Sequence, residues 1–435
     1  VANEEPLTPE TLVKIGKAIA VFFLKKNGQS RKKIVIGKDT RLSGYMLETA
    51  LTSGIVSMGV DVLLVGPMPT PAIAHLTKSL NADAGIVLSA SHNPANDNGV
   101  KIFDSNGIKI SEKTEKEIEG LVENNSAKNS SSIGKAYRID DARGRYIEFV
   151  KASISSASLK GLKVVVDCAN GAAYSMAQRI FEELGVSVLC INNKPDGENI
   201  NKDCGALFPQ TMQKTVQKTG ADAGIAFDGD ADRVVFCDEK GELVFGEQIM
   251  GLFALGMKNS GKLKNNSIVA TRISNNGFFE AMKKNGIKVI ECDVGDKNVI
   301  EAMLENHAVF GAEPSGHIIF SDCSTTGDGL IAALNLLLVL KQSGEKLSEL
   351  KKTVTLYPQA QVNVKVREKK PFDSLKTTSL EIKKAEQMLK GSGRIIVRYS
   401  GTEKKARVLV EAKDQKTADA LAQKIARTIQ EEIGE

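Results

Sequence analysis

The chain repeats itself, and that constrains its fold more than any other feature. "NADAGIVLSASHN" at 81–93 and "GADAGIAFDGDAD" at 220–232 both run through Ala-Asp-Ala-Gly-Ile into a short apolar strand and then a polar loop. A weaker third copy, "NHAVFGAEPSGHI" at 306–318, makes the same transition. Behind each copy lies a helical segment ending near a Gly and an alternating strand: "SMGVDVLLVG" at 57–66, "ELGVSVLCIN" at 183–192 and "KNGIKVIECD" at 284–293. Still earlier come "KIVIGKDTR" at 33–41, "LKVVVDCANG" at 162–171 and "SIVATRISNNG" at 267–277, each an apolar strand entering a helix through a polar turn.

Strand, helix, strand, helix, strand is a parallel α/β unit. Open α/β sheets take their ligands outside the carboxyl ends of the strands, so the loops at 89–101, 228–233 and 312–317 are predicted to converge on ligand chemistry. From about 357 the pattern changes to "QVNVKVRE", "RIIVRYSGTEKKARVLVEA" and an amphipathic helix from Thr417 to Ile433. The expected fold is therefore three similar α/β domains with mixed, largely parallel sheets plus a smaller C-terminal α+β domain. The boundaries are expected at 1–155, 156–247, 248–356 and 357–435. The Ser/Asn stretch at 124–135 reads as an exposed loop and "SISSASLKG" at 153–161 as the linker into the second repeat.

Composition narrows the function. The 58 basic and 53 acidic residues are spread over all 435 positions, so the net charge of +5 forms no basic stripe and nucleic acid is not an expected partner. Six cysteines lie far apart without zinc spacing and read as reduced thiols. No apolar run approaches the roughly 18 residues a membrane span needs, and the first residues carry no basic-then-apolar signal pattern. A cytoplasmic protein without a membrane partner is expected.

"DGDADR" at 228–233 is the sharpest motif. Alternate carboxylates on a Gly-containing turn bring Asp228, Asp230 and Asp232 toward one point, which suits a hard divalent cation such as Mg²⁺. An EF-hand is excluded by Arg233 at the sixth position, where that loop needs a glycine for its sharp turn. A solvated acidic turn is the competing reading. In "SASHNP", Ser91 lacks an evident acyl-transfer partner order, and a serine that carries a phosphoryl group beside the metal fits better. His92 is a candidate to orient the loop and Lys101 to move a proton, although a Ser-His pair more often only caps a turn. Glu313, Ser315 and His317 in "AEPSGH" suit sugar hydroxyls, and an ordinary turn uses them as readily. Asp328 in "TTGDG" reads as a helix cap. In "RYSGTEKKAR", Ser400, Gly401 and Thr402 offer hydroxyls and amides, and Arg398 and Arg407 offer forks that match a phosphate; a β-turn flanked by surface arginines is the alternative.

Taken together and in this order, a serine loop ASHNP, a metal loop DGDADR, a sugar loop of the form GExSGH and a phosphate loop RxSGTExxxR resemble the α-D-phosphohexomutase superfamily over nearly the whole chain. "GKDTRLSGYMLETAL" at 37–51, "GPMPTPAIAHLT" at 66–77, "NINKDCGAL" at 199–207, "VGDKNV" at 294–299 and "TTGDG" at 325–329 are similar to its glucosamine branch. The resemblance implies four domains around a central cleft. It implies an isomerase that interconverts glucosamine 6-phosphate and glucosamine 1-phosphate, on the route to UDP-N-acetylglucosamine, through a hexose 1,6-bisphosphate. A monomer or homodimer is expected.

On that resemblance Ser91 is the phosphoserine, and its phosphate joins Asp228, Asp230 and Asp232 around Mg²⁺. Glu313 and Ser315 bind sugar hydroxyls, while Lys101 and His317 serve as acid and base with His92 beside them. Arg398, Ser400, Gly401, Thr402 and Arg407 hold the phosphate that is not reacting, and Arg233 is counted with the substrate-binding residues. The family also carries a GTxGIRG segment just before the point where this numbering starts. Pro314 stands where the glucosamine branch has Gln, and Tyr399 and Lys404 stand where prolines are typical. A phosphomannomutase or phosphoglucomutase of the same superfamily is therefore the alternative activity, and a phosphosugar-binding paralogue that has lost turnover, or a phosphatase that hydrolyses the phosphoserine, the alternatives of another function class.

Overall fold

Runs such as "KIVIG", "KVVVD" and "SIVAT" are β-branched and apolar on both faces, which suits strands covered from both sides. The computed structural model describes residues 1–26, 32–124, 130–400 and 404–435. In it these runs are the central strands of three sheets. The first sheet has β1 (Lys33–Lys38), β2 (Asp61–Pro67), β3 (Ala84–Leu88), β4 (Val100–Asp104) and β5 (Ala136–Arg138), in the order β4-β3-β1-β2-β5. The second has β6 (Lys163–Asp167), β7 (Ser187–Ile191), β8 (Ala223–Phe227), β9 (Val234–Asp238) and β10 (Leu243–Val244), in the order β10-β9-β8-β6-β7. The third has β11 (Ser267–Thr271), β12 (Lys288–Cys292), β13 (Phe310–Ala312) and β14 (Ile318–Phe320), in the order β12-β11-β13-β14.

The repeat is exact in topology. β1 pairs parallel with β3, β6 with β8 and β11 with β13, and in each case the next strand returns antiparallel as β4, β9 or β14. Every residue of β3, β8 and β13 is buried. The three polar loops predicted to carry chemistry are thus one structural position used three times, the turn that joins a buried parallel strand to its antiparallel neighbour.

Contacts group the chain into two compact units, Val1–Thr271 with Ile290–Lys352, and Arg272–Val289 with Thr353–Glu435. The second unit contains the last sheet, β15 (Gln359–Lys365), β16 (Gly393–Tyr399) and β17 (Lys405–Ala412), fully antiparallel in the order β15-β17-β16. Helices Lys376–Leu389 and Gln415–Ile433 cover it through Leu389, Leu421, Ile425 and Ile429. The closing helix starts two residues before the predicted Thr417, because Asp414 caps it by accepting from Thr417 N at 2.9 Å. Segment Arg272–Ser274 is fastened within this unit by Arg394, which donates to the carbonyls of Arg272, Ile273 and Ser274 while pairing with the buried Glu411.

Helix Gly329–Ser343 is apolar on nearly every face and is correspondingly buried. Asp328 caps it, with Oδ1 accepting from Leu330 N and Ile331 N, both at 3.0 Å, and its Oδ2 accepts from the buried Tyr146 hydroxyl at 2.8 Å. Burial, only partly offset by those donors, pushes the Asp328 carboxyl up to about 6. A raised acid favours the folded state fully below about pH 4, and that contribution is lost as pH rises through about 6, a difference of about 3 kcal/mol. Urea melts of Asp328→Asn and the parent should therefore converge as pH rises from 4 to 7, the parent losing stability relative to the variant. A constant gap across that range would contradict the assignment. Among the described residues no helix is long and apolar enough to cross a membrane.

Candidate active site

Each of the three turns leaves its strand with a polar residue already aimed at the others. In the first, Ser91 sits in left-handed backbone at φ +52°, and its Oγ donates to Asp228 Oδ2 in the second turn at 2.6 Å. Lys101 lies opposite Val87 on β4, and its Nζ donates to Asp230 Oδ2 at 2.6 Å and reaches Asp232 Oδ2 at 3.5 Å. The third turn joins the second through Val234 N to Gly316 O at 3.1 Å, with Arg233 and His317 bridged across.

The three carboxylates are buried, and one oxygen from each lies within 4.8 Å of the others. Asp230 Oδ1 and Asp232 Oδ1 are buried without a hydrogen-bond partner among the described residues. Buried oxygens of this kind are costly unless something satisfies them, and an all-oxygen acidic set is what a hard divalent cation takes. The residues therefore fit a metal ion. Asp228 is pushed well above the carboxylate range by burial and by Asp232 and Asp230, the response of an acid crowded by like charges. Asp230 moves down instead, because Lys101 and Thr70, whose hydroxyl donates to Asp230 Oδ2, outweigh its burial. Burial opposes the Lys101 charge, but Asp230 and Asp232 outweigh it and hold the ammonium protonated.

His92 is half-buried, and its Nδ1 lies 2.9 Å from Arg233 Nη1 and 3.4 Å from Ser91 Oγ. Burial and the Arg233 guanidinium lower its pKa, so it is neutral and accepts from Arg233. His317 is 1% exposed; its Nε2 accepts from Gly327 N at 3.1 Å, which places the proton on Nδ1, 4.0 Å from Asp232 Oδ2. Gly327 must be glycine, since a Cβ there would lie 2.5 Å from the imidazole. Glu313 is aimed by Gly295 N, which donates to Oε1 at 2.9 Å, and Ser315 Oγ is 3.4 Å from Oε2.

Ser91, His92, Lys101, Asp228, Asp230, Asp232, Arg233, Glu313, Ser315 and His317 all belong to the first unit, and the contacts above link them. Arg398, Ser400 and Arg407 belong to the second. There Arg398 and Arg407 are direct cross-strand partners, and Ser400 is buried with its N–H donating to Lys405 O at 2.8 Å. Gly401 and Thr402 lie outside the described residues. Sequence reasoning gave no role to Thr70, Gly295 or Gly327. All three fall inside the stretches "GPMPTPAIAHLT", "VGDKNV" and "TTGDG", and only contacts across the fold show what they hold.

Four domains of the phosphoglucomutase/phosphomannomutase family match the chain in order: alpha/beta/alpha domain I over residues 1–129, domain II over 144–241, domain III over 245–357 and the C-terminal domain over 362–428. A phosphoglucosamine mutase of Geobacter sp. (strain M21) is 48% identical over 439 residues, covering 100% of this chain and 96% of the relative. One from Myxococcus xanthus is 49% identical over 430 residues, covering 98% and 93%. Among solved structures, a phosphoglucomutase/phosphomannomutase family protein from Burkholderia thailandensis superposes with a TM-score of 0.83 at 23% identity, covering 99% of this chain and 95% of that one. Aspergillus fumigatus N-acetylphosphoglucosamine mutase, solved with GlcNAc-6P and magnesium, gives 0.63 at 20% identity, covering 83% and 92%. The full-length identity and the four domains in sequence agree with the site's acidic centre: the chain belongs to the phosphoglucomutase/phosphomannomutase family and, within it, to the phosphoglucosamine mutases, which are isomerases.

Proposed function

We propose that the chain interconverts glucosamine 6-phosphate and glucosamine 1-phosphate through a phosphoserine at Ser91 and a glucosamine 1,6-bisphosphate intermediate, supplying the 1-phosphate for UDP-N-acetylglucosamine. The contact of Ser91 Oγ with Asp228 at 2.6 Å, beside two further buried carboxylates, carries this reading. Asp228, Asp230 and Asp232 would hold Mg²⁺, which supplies positive charge against the phosphoryl oxygens during transfer.

In the first half-reaction the free hydroxyl oxygen of the substrate bonds to phosphorus as the bond from phosphorus to Ser91 Oγ breaks. Lys101, kept protonated by its two carboxylates, gives a proton to Oγ and later takes the one lost by the hydroxyl, so protons balance. The bisphosphate turns over and the second half-reaction runs the same steps in reverse on its other phosphate. Arg233, oriented by His92, contributes a fork for the transferring group. His317 has Nε2 engaged by Gly327 N and Nδ1 4.0 Å from Asp232 Oδ2, within reach of the acidic centre for the acid or base role. Glu313, preset by Gly295, and Ser315 receive sugar hydroxyls. Arg398 and Arg407 are cross-strand partners on β16 and β17, and their forks match a phosphate; with Ser400, Gly401 and Thr402 they would take the phosphate at rest. Six free cysteines support a reducing, cytoplasmic setting.

The test is a coupled assay with Mg²⁺ and catalytic hexose 1,6-bisphosphate. Glucosamine 6-phosphate is expected to give a kcat/KM at least about tenfold above glucose or mannose 6-phosphate, a difference of about 1.4 kcal/mol in transition-state binding. A preference for mannose or glucose phosphate would reassign the substrate. Binding of sugar phosphate without turnover would identify a non-catalytic protein.

A further inference from the structure

Two charged or amide side chains that the reaction scheme does not use converge on the backbone of the serine loop. Arg41, 0% exposed, follows β1, and Asn201, 7% exposed, lies after β7 in the second repeat. Both aim at the same two carbonyls. Arg41 Nη2 donates to Asn93 O at 2.5 Å and to Ser91 O at 3.4 Å, and Asn201 Nδ2 donates to Ser91 O at 2.9 Å and Asn93 O at 3.0 Å.

The other side of the loop is held as firmly. Ser91 N donates to Ser89 Oγ at 2.9 Å, Ser89 Oγ donates to Asp39 Oδ2 at 2.6 Å, and Asp39 pairs with the Arg41 guanidinium and accepts from Arg41 N at 3.0 Å. Asn201 is itself in left-handed backbone at φ +59°, with its N–H on Ala169 O at 2.9 Å. Gly229 of the metal loop completes the enclosure, since a Cβ there would lie 2.6 Å from Ser91 O and 2.8 Å from Asn201 Nδ2.

A serine at positive φ is strained and persists only where its surroundings over-determine it. Here the strained residue is the one whose hydroxyl must meet Asp228. We infer that Arg41 and Asn201 are positioning residues for phosphoryl transfer, a two-sided clamp on the carbonyls of Ser91 and Asn93 that fixes the direction of Oγ toward the metal loop. This assigns a purpose to "DTR" at 39–41 and "NIN" at 199–201 that is independent of sugar recognition. The inference rests on Ser91 being the phosphoryl carrier.

The clamp predicts a loss in chemistry without a loss in binding. Asn201→Gly keeps the left-handed backbone and deletes only the amide, and Arg41→Lys keeps the charge and deletes the fork. Each is expected to lower kcat by about tenfold to a hundredfold, the scale of a misplaced reacting group, with KM for glucosamine 6-phosphate within about twofold. Single-turnover phosphorylation of Ser91 by hexose 1,6-bisphosphate, followed by mass spectrometry, should slow by the same factor. Circular dichroism melts identify folded variants, and Asn201→Asp, which sets an oxygen against the two carbonyls, should fall further than Asn201→Gly. Parent-like kcat and phosphorylation rate in folded Asn201→Gly, with Ser91→Ala inactive, would overturn the clamp alone. Activity retained in Ser91→Ala would overturn the phosphoserine reading and the clamp together.

Discussion

Ser91→Ala will abolish turnover, by at least about a thousandfold, while glucosamine 6-phosphate still binds. On the proposed mechanism Ser91 is the phosphoryl carrier, and removing it leaves only what binding and electrostatics supply; no described hydroxyl shares Ser91's contact with Asp228 Oδ2. The structural cost of the change is small by comparison, one hydrogen bond of about 1 kcal/mol and the preference of alanine against φ +52°. Calorimetric titration with glucosamine 6-phosphate should give an affinity within about threefold of the parent, and label from a bisphosphate should no longer be retained on the protein. A variant that turns over at the parent rate would show that the phosphoryl group travels by another residue.

Lys101→Met will make the stability of the protein depend on divalent cations. Its ammonium is the nearest compensating charge for Asp230 and Asp232, and removing one partner of a buried pair commonly costs about 3–5 kcal/mol. In chelator the variant should melt well below the parent. Added Mg²⁺ should restore much of the loss, because a ligand that binds only the folded state stabilises it in proportion to its occupancy. Activity should stay at least about a hundredfold down even with saturating Mg²⁺, since the metal replaces the charge of Lys101 and not its proton. Equal melting of variant and parent in chelator, or full activity once Mg²⁺ is added, would remove Lys101 from the centre.

The largest features of the fold were legible because they are periodic. Apolar runs at 33–38, 163–167 and 267–271, each followed by a helix and a second and third strand, can bury themselves only in parallel sheets, and the recurrence of Ala-Asp-Ala-Gly-Ile marked the strand that ends at the working turn. The acidic turn at 228–233 was legible for a local reason: three carboxylates spaced by two on a short turn repel one another, and a cation or a proton relieves that repulsion.

Other features had no local signature. Arg272–Val289 follows β11 directly, yet it groups with the last domain, because Arg394 of β16 spends its guanidinium on the carbonyls of Arg272 to Ser274. His317 reads in sequence as an acid or base; Gly327, ten residues later, fixes its tautomer by a single N–H.

The sequence by itself determined the three-fold repeat, the polar turns that end its buried strands and the residue types they offer, since those follow from hydrophobic periodicity and from charges close along the chain. Only the tertiary structure decided which hydroxyl meets which carboxylate, which cation balances them and which side chains hold Ser91 in its strained backbone. Those contacts join residues more than 100 positions apart, such as Asn201 with Ser91 and Lys101 with Asp230. Their geometry is set by the packing of one sheet repeat on the next, and no spacing within either repeat records it.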